Sequence, residues 1–506
     1  MAEVKFIMER PEEAYEFPKT RKAQPCVMVL FGASGDLARR KILPAIYNLA
    51  RDGCLPESFA LVGSSRSLRS AADFRRHMRE SISRYSRSGL DEGLWDELSG
   101  RIDHVTGDPR EAETQQRLRQ QVDQLDKQVE AQGNAVFHVA TPPSSMHAII
   151  EQLAGNELLE TRGGQGRMPW PRVLVEKPFA LSLESAHQLN ELLARKLDES
   201  QVFRVDHFLA KETVQNIMVF RFANAVFEPI WNSKYVDHVQ ITAAETLAME
   251  GRGAFYEEVG VLRDVVQNHM LQVLSLCTME PPVSALPDAV REEKTKVFRA
   301  LRLMRGDEIE RDAVLGQYRG YHEEKGVDAN SRVPTFAALR LQVDNWRWQG
   351  VPFYIRAGKR LKAGVTEVRV QFQPIPFCLF GSLCPIIPRN ELALRISPDE
   401  GISLRFVSKE PGEDYRVSGV TMDFKYSEFQ KPQPDAYERL LLDCMRGDQT
   451  LFARKDAVEL EWRFIDPIVS AWEAGAIEVH DYEPGSTGPK EADKLISRDG
   501  RSWRAL

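Results

Sequence analysis

The stretch from Arg204 to Glu212 brings an acid, an imidazole and an amine close together in the sequence Arg-Val-Asp-His-Phe-Leu-Ala-Lys-Glu. His207 and Lys211 are four positions apart, so on a helical turn they lie on one face. Two such donor groups side by side can hold a phosphate dianion. Asp206 comes one position before His207 and points in another direction, so it is free to serve a different partner. Taken alone, the segment is equally well interpreted as the start of a surface helix with mixed charges.

A second histidine, His269, ends the segment Arg-Asp-Val-Val-Gln-Asn-His that begins at Arg263. Histidine is the usual general base near neutral pH, and a buried carboxylate stabilises the imidazolium that forms. Asp264 is five positions before His269, about 140° around an ideal helix, so we expect that these two do not pair. The supporting carboxylate should therefore come from another element, and Asp206 is the candidate. A structural histidine in a helix is the alternative interpretation.

The turn that follows a short apolar run, Val27 to Phe31, has the pattern Gly-x-x-Gly-x-x-Ala. The run is typical of a buried parallel strand, and the residues from Leu37 to Arg51 are typical of a helix. This context fits a Rossmann turn, although the glycine spacing departs from the usual fingerprint. Glycines let the backbone approach a pyrophosphate, which the amides from Ser34 onward and the helix dipole then face. A plain strand-to-helix turn is the alternative. The predicted cofactor contacts in the turn are Gly32, Ala33, Ser34, Gly35, Asp36 and Leu37.

The end of the second predicted strand, Phe59 to Gly63, distinguishes the two nicotinamide cofactors. NAD sites usually carry an acidic residue there for the ribose hydroxyls. Here the chain continues as Ser-Ser-Arg66-Ser67, without an acid. Arg66 and the serine hydroxyls suit a 2′-phosphate through bidentate pairing and hydrogen bonding. The sequence therefore favours NADP.

Strands alternate with helices in the first part of the chain, which predicts a doubly wound parallel sheet. After about residue 203, strands at 236–241, 337–343, 367–372 and 392–396 alternate with period two. Such strands predict a sheet with one face covered, here by helices at 263–279 and 435–446. The predicted fold class is α/β plus α+β: an N-terminal Rossmann-type doubly wound domain followed by a large mixed α+β sheet domain. The predicted divisions are an N-terminal arm at 1–24, an NADP-binding domain at 25–203 and a substrate-binding and oligomerisation domain at 204–506, with surface loops at 161–171 and 374–388.

Composition limits the classes of partner. The 506 residues carry a net charge of −7, which argues against non-specific binding to nucleic acid or to an anionic membrane. The six cysteines form no Cys-x-x-Cys pair, so we expect no metal site and reduced, buried thiols. The N-terminal residues are too acidic for a transit peptide and lack an apolar core, and no apolar run reaches membrane-spanning length. We therefore expect a cytoplasmic protein.

Five blocks of the sequence, in this order, resemble those of the glucose-6-phosphate dehydrogenase family. They are Gly32-Ala-Ser-Gly-Asp-Leu-Ala38, Val175-Glu-Lys-Pro-Phe179, the Arg204 to Glu212 segment, Arg263-Asp-Val-Val-Gln-Asn-His269 and Arg356-Ala-Gly-Lys-Arg-Leu361. The resemblance extends from about residue 27 to Gly488-Pro-Lys-Glu-Ala-Asp493. It implies NADP-dependent oxidation of glucose 6-phosphate to 6-phosphogluconolactone, with NADP as the cofactor and a homodimer or homotetramer as the assembly.

The resemblance also implies roles for individual residues. His269 would be the general base and Asp206 its carboxylate. His207 and Lys211 would bind the phosphate, while Glu245 and Asp264 would accept hydrogen bonds from sugar hydroxyls, because ionised carboxylates are acceptors only. Lys177 would lie near both nicotinamide and substrate. The implied substrate contacts are Lys177, His207, Lys211, Glu245, Asp264 and Lys359, and the implied cofactor contacts add Arg66 and Lys177 to the glycine turn.

Three positions depart from the family pattern. Phe208 stands where many members have a tyrosine, Gly364 where many have a second basic substrate residue, and Met146 where some have a tyrosine near the cofactor. We expect these changes to weaken substrate binding. Lys362, two positions away, is the candidate to replace the basic residue that is absent at 364. They leave His269 and Asp206 unchanged.

Two other functions are compatible with parts of the pattern. A dehydrogenase of related fold that acts on a neutral sugar would need neither His207 nor Lys211 as phosphate ligands. A catalytically silent NADP-binding sensor would not need His269, Asp206 or the substrate carboxylates.

Overall fold

The structure is a computed structural model and describes residues 23–160, 169–380, 384, 387–413, 416–429 and 434–506. The predicted N-terminal arm at 1–24, apart from its last two residues, lies outside the described residues. So does most of the predicted loop at 161–171.

A seven-stranded sheet is built mainly from the first 205 residues. Its strands are β1 (Cys26–Phe31), β2 (Phe59–Ser65), β3 (Ile102–Thr106), β4 (Ala135–Val139), β5 (Pro171–Val175), β6 (Val202–Val205) and β15 (Phe452–Ala453). The spatial order is β15-β6-β5-β4-β1-β2-β3, with every pair parallel except the antiparallel pair of β15 and β6. The order reverses between β1 and β4, as in doubly wound dinucleotide-binding sheets. The predicted Rossmann-type sheet is confirmed.

Helices cover both faces of this sheet, because every residue of its central strands β1 and β4 is buried and nearly all of these residues are apolar. The connecting helices are α1 (Leu43–Arg51), α2 (Ala71–Tyr85), α3 (Glu92–Ser99), α4 (Ala112–Val129), α5 (Pro143–Gly155) and α6 (Leu183–Ala194), with a π-helical segment at Ala38–Ile42 before α1. The predicted helix from Leu37 to Arg51 thus corresponds to the π-helical segment and α1.

A nine-stranded mixed sheet forms the second layer. Its strands are β7 (Val236–Ala244), β8 (Ala313–Tyr318), β9 (Phe336–Gln342), β10 (Pro352–Gly358), β11 (Val365–Phe372), β12 (Glu391–Ser397), β13 (Gly401–Lys409), β14 (Val417–Lys425) and β16 (Val479–Tyr482). The order is β14-β13-β12-β11-β7-β10-β9-β8-β16. The pairs of β7 with β10 and of β8 with β16 are parallel, and the others are antiparallel. The predicted mixed α+β sheet is confirmed.

The helices after residue 205 are α7 (Glu212–Phe222), α8 (Gly253–Val261), α9 (Leu271–Thr278), α10 (Pro287–Ala300), α11 (Asp307–Asp312), α12 (Ala436–Arg446), α13 (Lys455–Glu473) and α14 (Lys490–Ser497). A π-helical segment, Leu262–Met270, leads directly into α9 and packs on β7 and β10. The expectation that helices cover only one face of the second sheet is wrong at β8 and β9. There α14 packs against the two strands in a second apolar cluster. This cluster lies on the face of the sheet opposite to the face that carries Ile355 and Leu339.

The C-terminal part of the chain returns to the first sheet. Strand β15 pairs with β6, α12 packs on α1, and α13 packs on α6. The Glu438 carboxylate of α12 accepts hydrogen bonds from Asn48 and Arg87. The domain boundary between 203 and 204 stays a prediction, since segments beyond it belong to both layers.

Four strand ends of the first sheet meet at one edge. Strands β1, β4, β5 and β6 are neighbours and run in parallel, so the residues that follow them converge. These residues are Gly32, Ala140, Glu176 and Asp206. Open α/β sheets bind ligands at this edge, next to the point where strand order reverses.

The cysteines differ from the expectation of reduced, buried thiols. Cys378 and Cys384 form a disulfide with a Cα–Cα distance of 5.8 Å, and Cys54 is only half-buried. The two sulfur atoms lie within bonding distance, which a separation of six positions does not by itself reveal. Cys26, Cys277 and Cys444 are buried and free, as expected.

Among the described residues, every helix is too short or too polar to cross a membrane.

The close approach at the glycine turn predicts a specific loss of stability. Gly32 has φ +79°, and a Cβ there would lie 2.4 Å from the Ala140 carbonyl oxygen. We expect Gly32→Ala to lower stability by about 2–4 kcal/mol, because left-handed strain adds to a backbone clash. Gly53→Ala is the matched control, since Gly53 has φ +66° with nothing within 4 Å of its Cβ. Thermal unfolding should rank wild type, Gly53→Ala and Gly32→Ala in falling order. Equal midpoints for the two variants would contradict the clash.

Candidate active site

A cavity of about 520 Å³ lies at the edge where the four strand ends meet. Its walls come from both sheets and from α12. The predicted site residues that line it are Asp36, Leu37, Lys177, His207, Glu245, Asp264, His269 and Lys359. The other predicted residues lie around it: Asp206 behind His269, Lys211 beside Phe208, and Gly32 to Gly35 in the turn after β1.

His269 and Asp206 form a buried pair that joins the two halves of the chain. Asp206 follows β6, and His269 lies in the π-helical segment Leu262–Met270. The His269 Nδ1 atom is 2.5 Å from Asp206 Oδ1, and the residues are only 2% and 1% exposed. Asp206 Oδ1 also accepts a hydrogen bond from the Phe208 backbone N–H at 3.0 Å. Two donors therefore fix the carboxylate, and the carboxylate fixes the imidazole ring.

The proton positions on His269 follow from this bond. An ionised carboxylate only accepts hydrogen bonds, so Nδ1 carries the proton and donates it to Asp206. Within the described residues, Nε2 has no hydrogen-bond partner. In the neutral ring that nitrogen holds a free lone pair, and His269 lines the cavity. The arrangement can accept a proton from a group bound there.

The surroundings of the pair set the protonation states that a general base and its supporting carboxylate require, a neutral imidazole and an ionised carboxylate. Burial lowers the pKa of His269, and this effect exceeds the opposing attraction of Asp206. Burial alone would raise the pKa of Asp206, but the charge and hydrogen bond of His269, with the Phe208 N–H, bring it below its ordinary value. The imidazole is therefore neutral and the carboxylate ionised near neutral pH.

The π-helical segment explains why Asp264 and His269 line the same cavity. We expected an ideal helix, on which residues five apart point in different directions. In a π-helix each residue i bonds to residue i+5, so residues five apart lie nearly above one another. The expectation that these two residues do not pair directly agrees with the contacts, since Asp264 Oδ1 accepts from Lys177 Nζ at 2.6 Å.

Two lysine–carboxylate pairs cross the cavity wall. Lys177 also donates to the Asp264 backbone carbonyl at 2.7 Å, and Lys359 Nζ donates to Glu245 Oε2 at 2.7 Å. Burial opposes ionisation of Asp264, but the charges of Lys177 and Lys359 hold the pKa of its carboxyl well below the ordinary value. The Asp264 carboxylate therefore stays ionised and can accept hydrogen bonds from hydroxyl groups.

Phe208 contacts the base directly, which the sequence did not indicate. Its ring stacks on the His269 imidazole, with centroids 4.2 Å apart and an interplanar angle of 14°. The Lys211 ammonium nitrogen lies 4.1 Å from the centroid of the Phe208 ring. The His207 ring meets His269 edge-on at 4.4 Å. A phenylalanine at this position lacks a hydroxyl for a phosphate, but it holds the plane of the imidazole.

His207 and Lys211 are both partly shielded from solvent. Burial, followed by the charges of His269 and Lys177, lowers the pKa of His207 well below its ordinary value. Burial also lowers the pKa of Lys211. Burial is the main cause of both shifts, and the negative charge of an incoming dianion would favour the protonated forms of these two groups.

The other two departures lie away from the cavity wall. Met146 is 2% exposed within the apolar core beside β4 and β5. Gly364 is exposed, and so is Lys362, which is not among the lining residues. The replacement of a basic residue at 364 by Lys362 stays a prediction.

Several lining residues were missed by the sequence analysis. Lys41 lines the cavity and pairs with Asp435 at 2.6 Å. Tyr437 of α12 also lines it and donates to Glu176, which in turn contacts His138 Nε2 at 2.8 Å. A lysine four positions after the glycine turn was a usable signal for Lys41. No local pattern marks Tyr437, because it is more than 200 residues from its neighbours in the site.

The turn after β1 fits a dinucleotide. Gly32 N–H and Ala33 N–H donate to the Ser64 carbonyl, and Gly35 N–H donates to the Gly32 carbonyl at 2.8 Å. A Cβ at Gly35 would lie 3.0 Å from that same oxygen, so the turn has no room for larger residues. Beside it, the buried hydroxyl of Thr141 has no partner within the described residues. The Thr141 hydroxyl, on a residue that lines the cavity, is thus available to a cofactor.

Arg66 stands apart from the cavity, at the exposed end of β2. Strand β2 neighbours β1 in the sheet, so Arg66 and the glycine turn share one edge. Asp108 lies near enough to Arg66 for the Arg66 charge to contribute to lowering the pKa of Asp108. The ion pair of Asp108 is nevertheless with Arg110, at 2.6 Å. The guanidinium of Arg66 is therefore placed for an anion that extends from the turn.

Comparisons with known proteins cover almost the whole chain. The model of the glucose-6-phosphate dehydrogenase NAD-binding domain matches residues 29–216, and the model of the C-terminal domain of the same family matches residues 218–504. The chain is 44% identical to glucose-6-phosphate 1-dehydrogenase of Chlamydia pneumoniae over 96% of this chain and 97% of that protein. It is 43% identical to the enzyme of Treponema pallidum over 95% of each chain.

Solved structures give the same result. A glucose-6-phosphate 1-dehydrogenase from Mycobacterium avium superposes with a TM-score of 0.81 at 37% identity, over 96% of this chain and 99% of that chain. A glucose-6-phosphate dehydrogenase in complex with glucose 6-phosphate gives a TM-score of 0.85 at 33% identity, over 96% and 100%.

Proposed function

Because the chain belongs to the glucose-6-phosphate dehydrogenase family, we propose that the cavity at the strand ends is its active site, with His269 as general base and Asp206 as the supporting carboxylate. The protein oxidises D-glucose 6-phosphate to 6-phospho-D-glucono-1,5-lactone and reduces NADP to NADPH. This reaction replaces the two alternatives, a neutral-sugar dehydrogenase and a silent sensor. The observation that carries the residue assignment is the buried 2.5 Å contact between His269 and Asp206, with His269 Nε2 left without a hydrogen-bond partner among the residues that the structure describes.

His269 takes the proton of the C1 hydroxyl at its Nε2 atom. The ring is neutral before the step because burial lowers its pKa, and it becomes an imidazolium afterwards. Asp206 stabilises that cation through the Nδ1–H bond and keeps the ring in the correct tautomer. The flat contact with Phe208 fixes the plane of the ring, so that Nε2 keeps its direction.

The phosphate and the hydroxyl groups are held by different residues. His207 and Lys211 bind the phosphate, whose negative charge compensates the crowded donors. Asp264 and Glu245 accept hydrogen bonds from sugar hydroxyls, while Lys359 contacts the substrate from β10 and the loop after it. The support for these roles is the ionised state of Asp264 and the position of four of these residues on one cavity wall.

NADP, when bound, accepts the hydride from C1 of the sugar. The residues that would hold it are the glycine turn Gly32 to Leu37, Lys177 and Arg66. The turn offers close backbone approach for a pyrophosphate, and Arg66 offers a guanidinium for the 2′-phosphate. Lys177 follows β5 at the same edge and lines the cavity, which supports a position between cofactor and substrate.

A homodimer or homotetramer is the proposed assembly, through the domain predicted at 204–506. Exposed apolar side chains on the loop after β11 and on β14 support it: Ile375, Phe377, Leu379, Phe380 and Met422. Sedimentation equilibrium that finds only monomer at micromolar concentration would contradict this assembly. The cytoplasm is the proposed location, and activity that sediments with membranes after cell breakage would contradict it.

The role of His269 predicts a loss in turnover. We expect His269→Asn to lower kcat by about 10²–10⁴, since the proton acceptor is removed, while NADP binding is retained. Initial rates of NADPH formation and cofactor titration by fluorescence measure the two effects. His147→Asn is the matched control, because His147 is an exposed histidine on α5. Near-normal turnover of the His269 variant would remove His269 from the mechanism.

The depressed pKa of His269 predicts the position of the acid limb of kcat/KM. The reaction needs the unprotonated ring, so the rate is lost as pH falls through the pKa of the folded enzyme. Because burial lowers that pKa, the limb should lie below the ordinary histidine value of 6.5. A pH profile at subsaturating glucose 6-phosphate measures it. A limb at or above pH 7 would show that the assigned environment of His269 is wrong.

A further inference from the structure

A closed set of hydrogen bonds lies beneath the turn that carries Arg66. Ser65 ends β2 opposite Thr106 of β3, and the Nε2 atom of His104, two positions before Thr106, lies 3.0 Å from the Ser65 hydroxyl oxygen. The His104 Nδ1 atom is 3.3 Å from the hydroxyl oxygen of Thr106. The Thr106 hydroxyl is 2.9 Å from the Leu68 carbonyl, and the Leu68 N–H is 3.4 Å from the Ser65 hydroxyl oxygen. The four residues form a ring around the backbone from 65 to 68.

Every proton in this ring has a determined place. A carbonyl oxygen only accepts, so the Thr106 hydroxyl donates to Leu68. Its oxygen must then accept from His104, which puts the imidazole proton on Nδ1. His104 Nε2 is left as an acceptor and takes the proton of the Ser65 hydroxyl. The ring is complete with one neutral tautomer of His104.

The neutral state of His104 is secured by its surroundings. Burial against β2 lowers the pKa of His104 to about 4, and the nearby carboxylates of Asp103 and Asp73 offset this only in part. An imidazolium has no acceptor nitrogen and would lose the bond from Ser65. Near neutral pH the ring therefore stays closed.

The Ser65 hydroxyl donates its proton to His104 within the ring, so it has no proton left to donate to a phosphate. Arg66 and Ser67, which follow it, are exposed. In the described part of the chain, their backbone N–H groups donate to no protein atom and Arg66 forms no ion pair. The ring fixes both ends of a turn whose middle is free to bind an anion.

We propose that His104 is a positioning residue for cofactor selectivity: with Ser65, Thr106 and Leu68 it holds the turn that presents Arg66 and Ser67 to the 2′-phosphate monoester of NADP. The proposal rests on the proposed role of Arg66. NAD lacks that phosphate and is held by the glycine turn after β1, so the ring should not affect NAD binding. From the sequence we expected the serine hydroxyls at this turn to bind the phosphate. In the structure the Ser65 hydroxyl instead supports the turn through its bonds in the ring.

The experiment measures kcat/KM for NADP and for NAD, at saturating glucose 6-phosphate, in Thr106→Val and His104→Gln. Valine keeps the shape and strand preference of threonine but removes both of its hydrogen bonds in the ring. We expect the ratio of the two constants, NADP over NAD, to fall about three- to tenfold, as for the loss of hydrogen bonds that orient a charged contact. Thr421→Val, on an exposed position of β14, is the matched control and should leave the ratio unchanged.

The same substitutions are then made in an Arg66→Ala background. If the ring acts through Arg66, Thr106→Val causes no further fall in the ratio there, because the effects of coupled residues do not add. Equal losses for NADP and NAD, or no change in either ring variant, would overturn the proposal and leave the role of Arg66 intact. A ratio unaffected by Arg66→Ala itself would overturn the role of Arg66 and the proposal with it. An unchanged KM for glucose 6-phosphate verifies that the variants are folded.

Discussion

The hydrogen bond between His269 and Asp206 is the interaction on which the rest of the site depends. It joins the end of β6 in the first sheet to a helical segment packed on the second sheet. Both groups are almost fully buried, so removal of either would leave its partner with an unsatisfied polar group, at a cost of about 1–3 kcal/mol for a neutral group and more for the ionised Asp206. The bond therefore fixes the two sheets relative to each other at the place where the chemistry occurs. Phe208 strengthens this constraint, since one residue both donates its backbone N–H to Asp206 and stacks its ring on His269.

The remaining charges of the cavity are arranged in local pairs. Lys177 pairs with Asp264, Lys359 with Glu245, and Lys41 with Asp435. Each pair places a carboxylate beside an ammonium group, which offsets the mutual repulsion of the ammonium groups around the cavity. The charge of Lys177 keeps Asp264 ionised as an acceptor for hydroxyl groups, while His207 and Lys211 remain for an incoming dianion. An acidic protein can in this way maintain a site for two anionic ligands.

Much of the architecture could be predicted from the sequence, because strands buried on both faces and strands with period two leave clear patterns. The glycine turn, the pair of His269 with Asp206 and the position of Arg66 were found from residue types and resemblance. The π-helical segment was not predicted, since apolar periodicity does not distinguish an insertion of one residue per turn from a regular helix. The contact of Tyr437 with Glu176 depends on how distant segments fold together, and the Cys378–Cys384 disulfide depends on a close approach that a separation of six positions does not by itself reveal. The stacking of Phe208 depends on the backbone turn after Asp206, which a sequence pattern does not define.

The protonation state of His269 is the most direct test of this account. Nitrogen NMR of protein labelled with ¹⁵N-histidine separates the two ring nitrogens, and the His269→Asn variant assigns the signal among the 10 histidines. At pH 7 the account predicts a neutral ring with its proton on Nδ1 and a bare lone pair on Nε2. A charged imidazolium, or a neutral ring protonated on Nε2, would contradict the claim that Asp206 prepares His269 to act as the base.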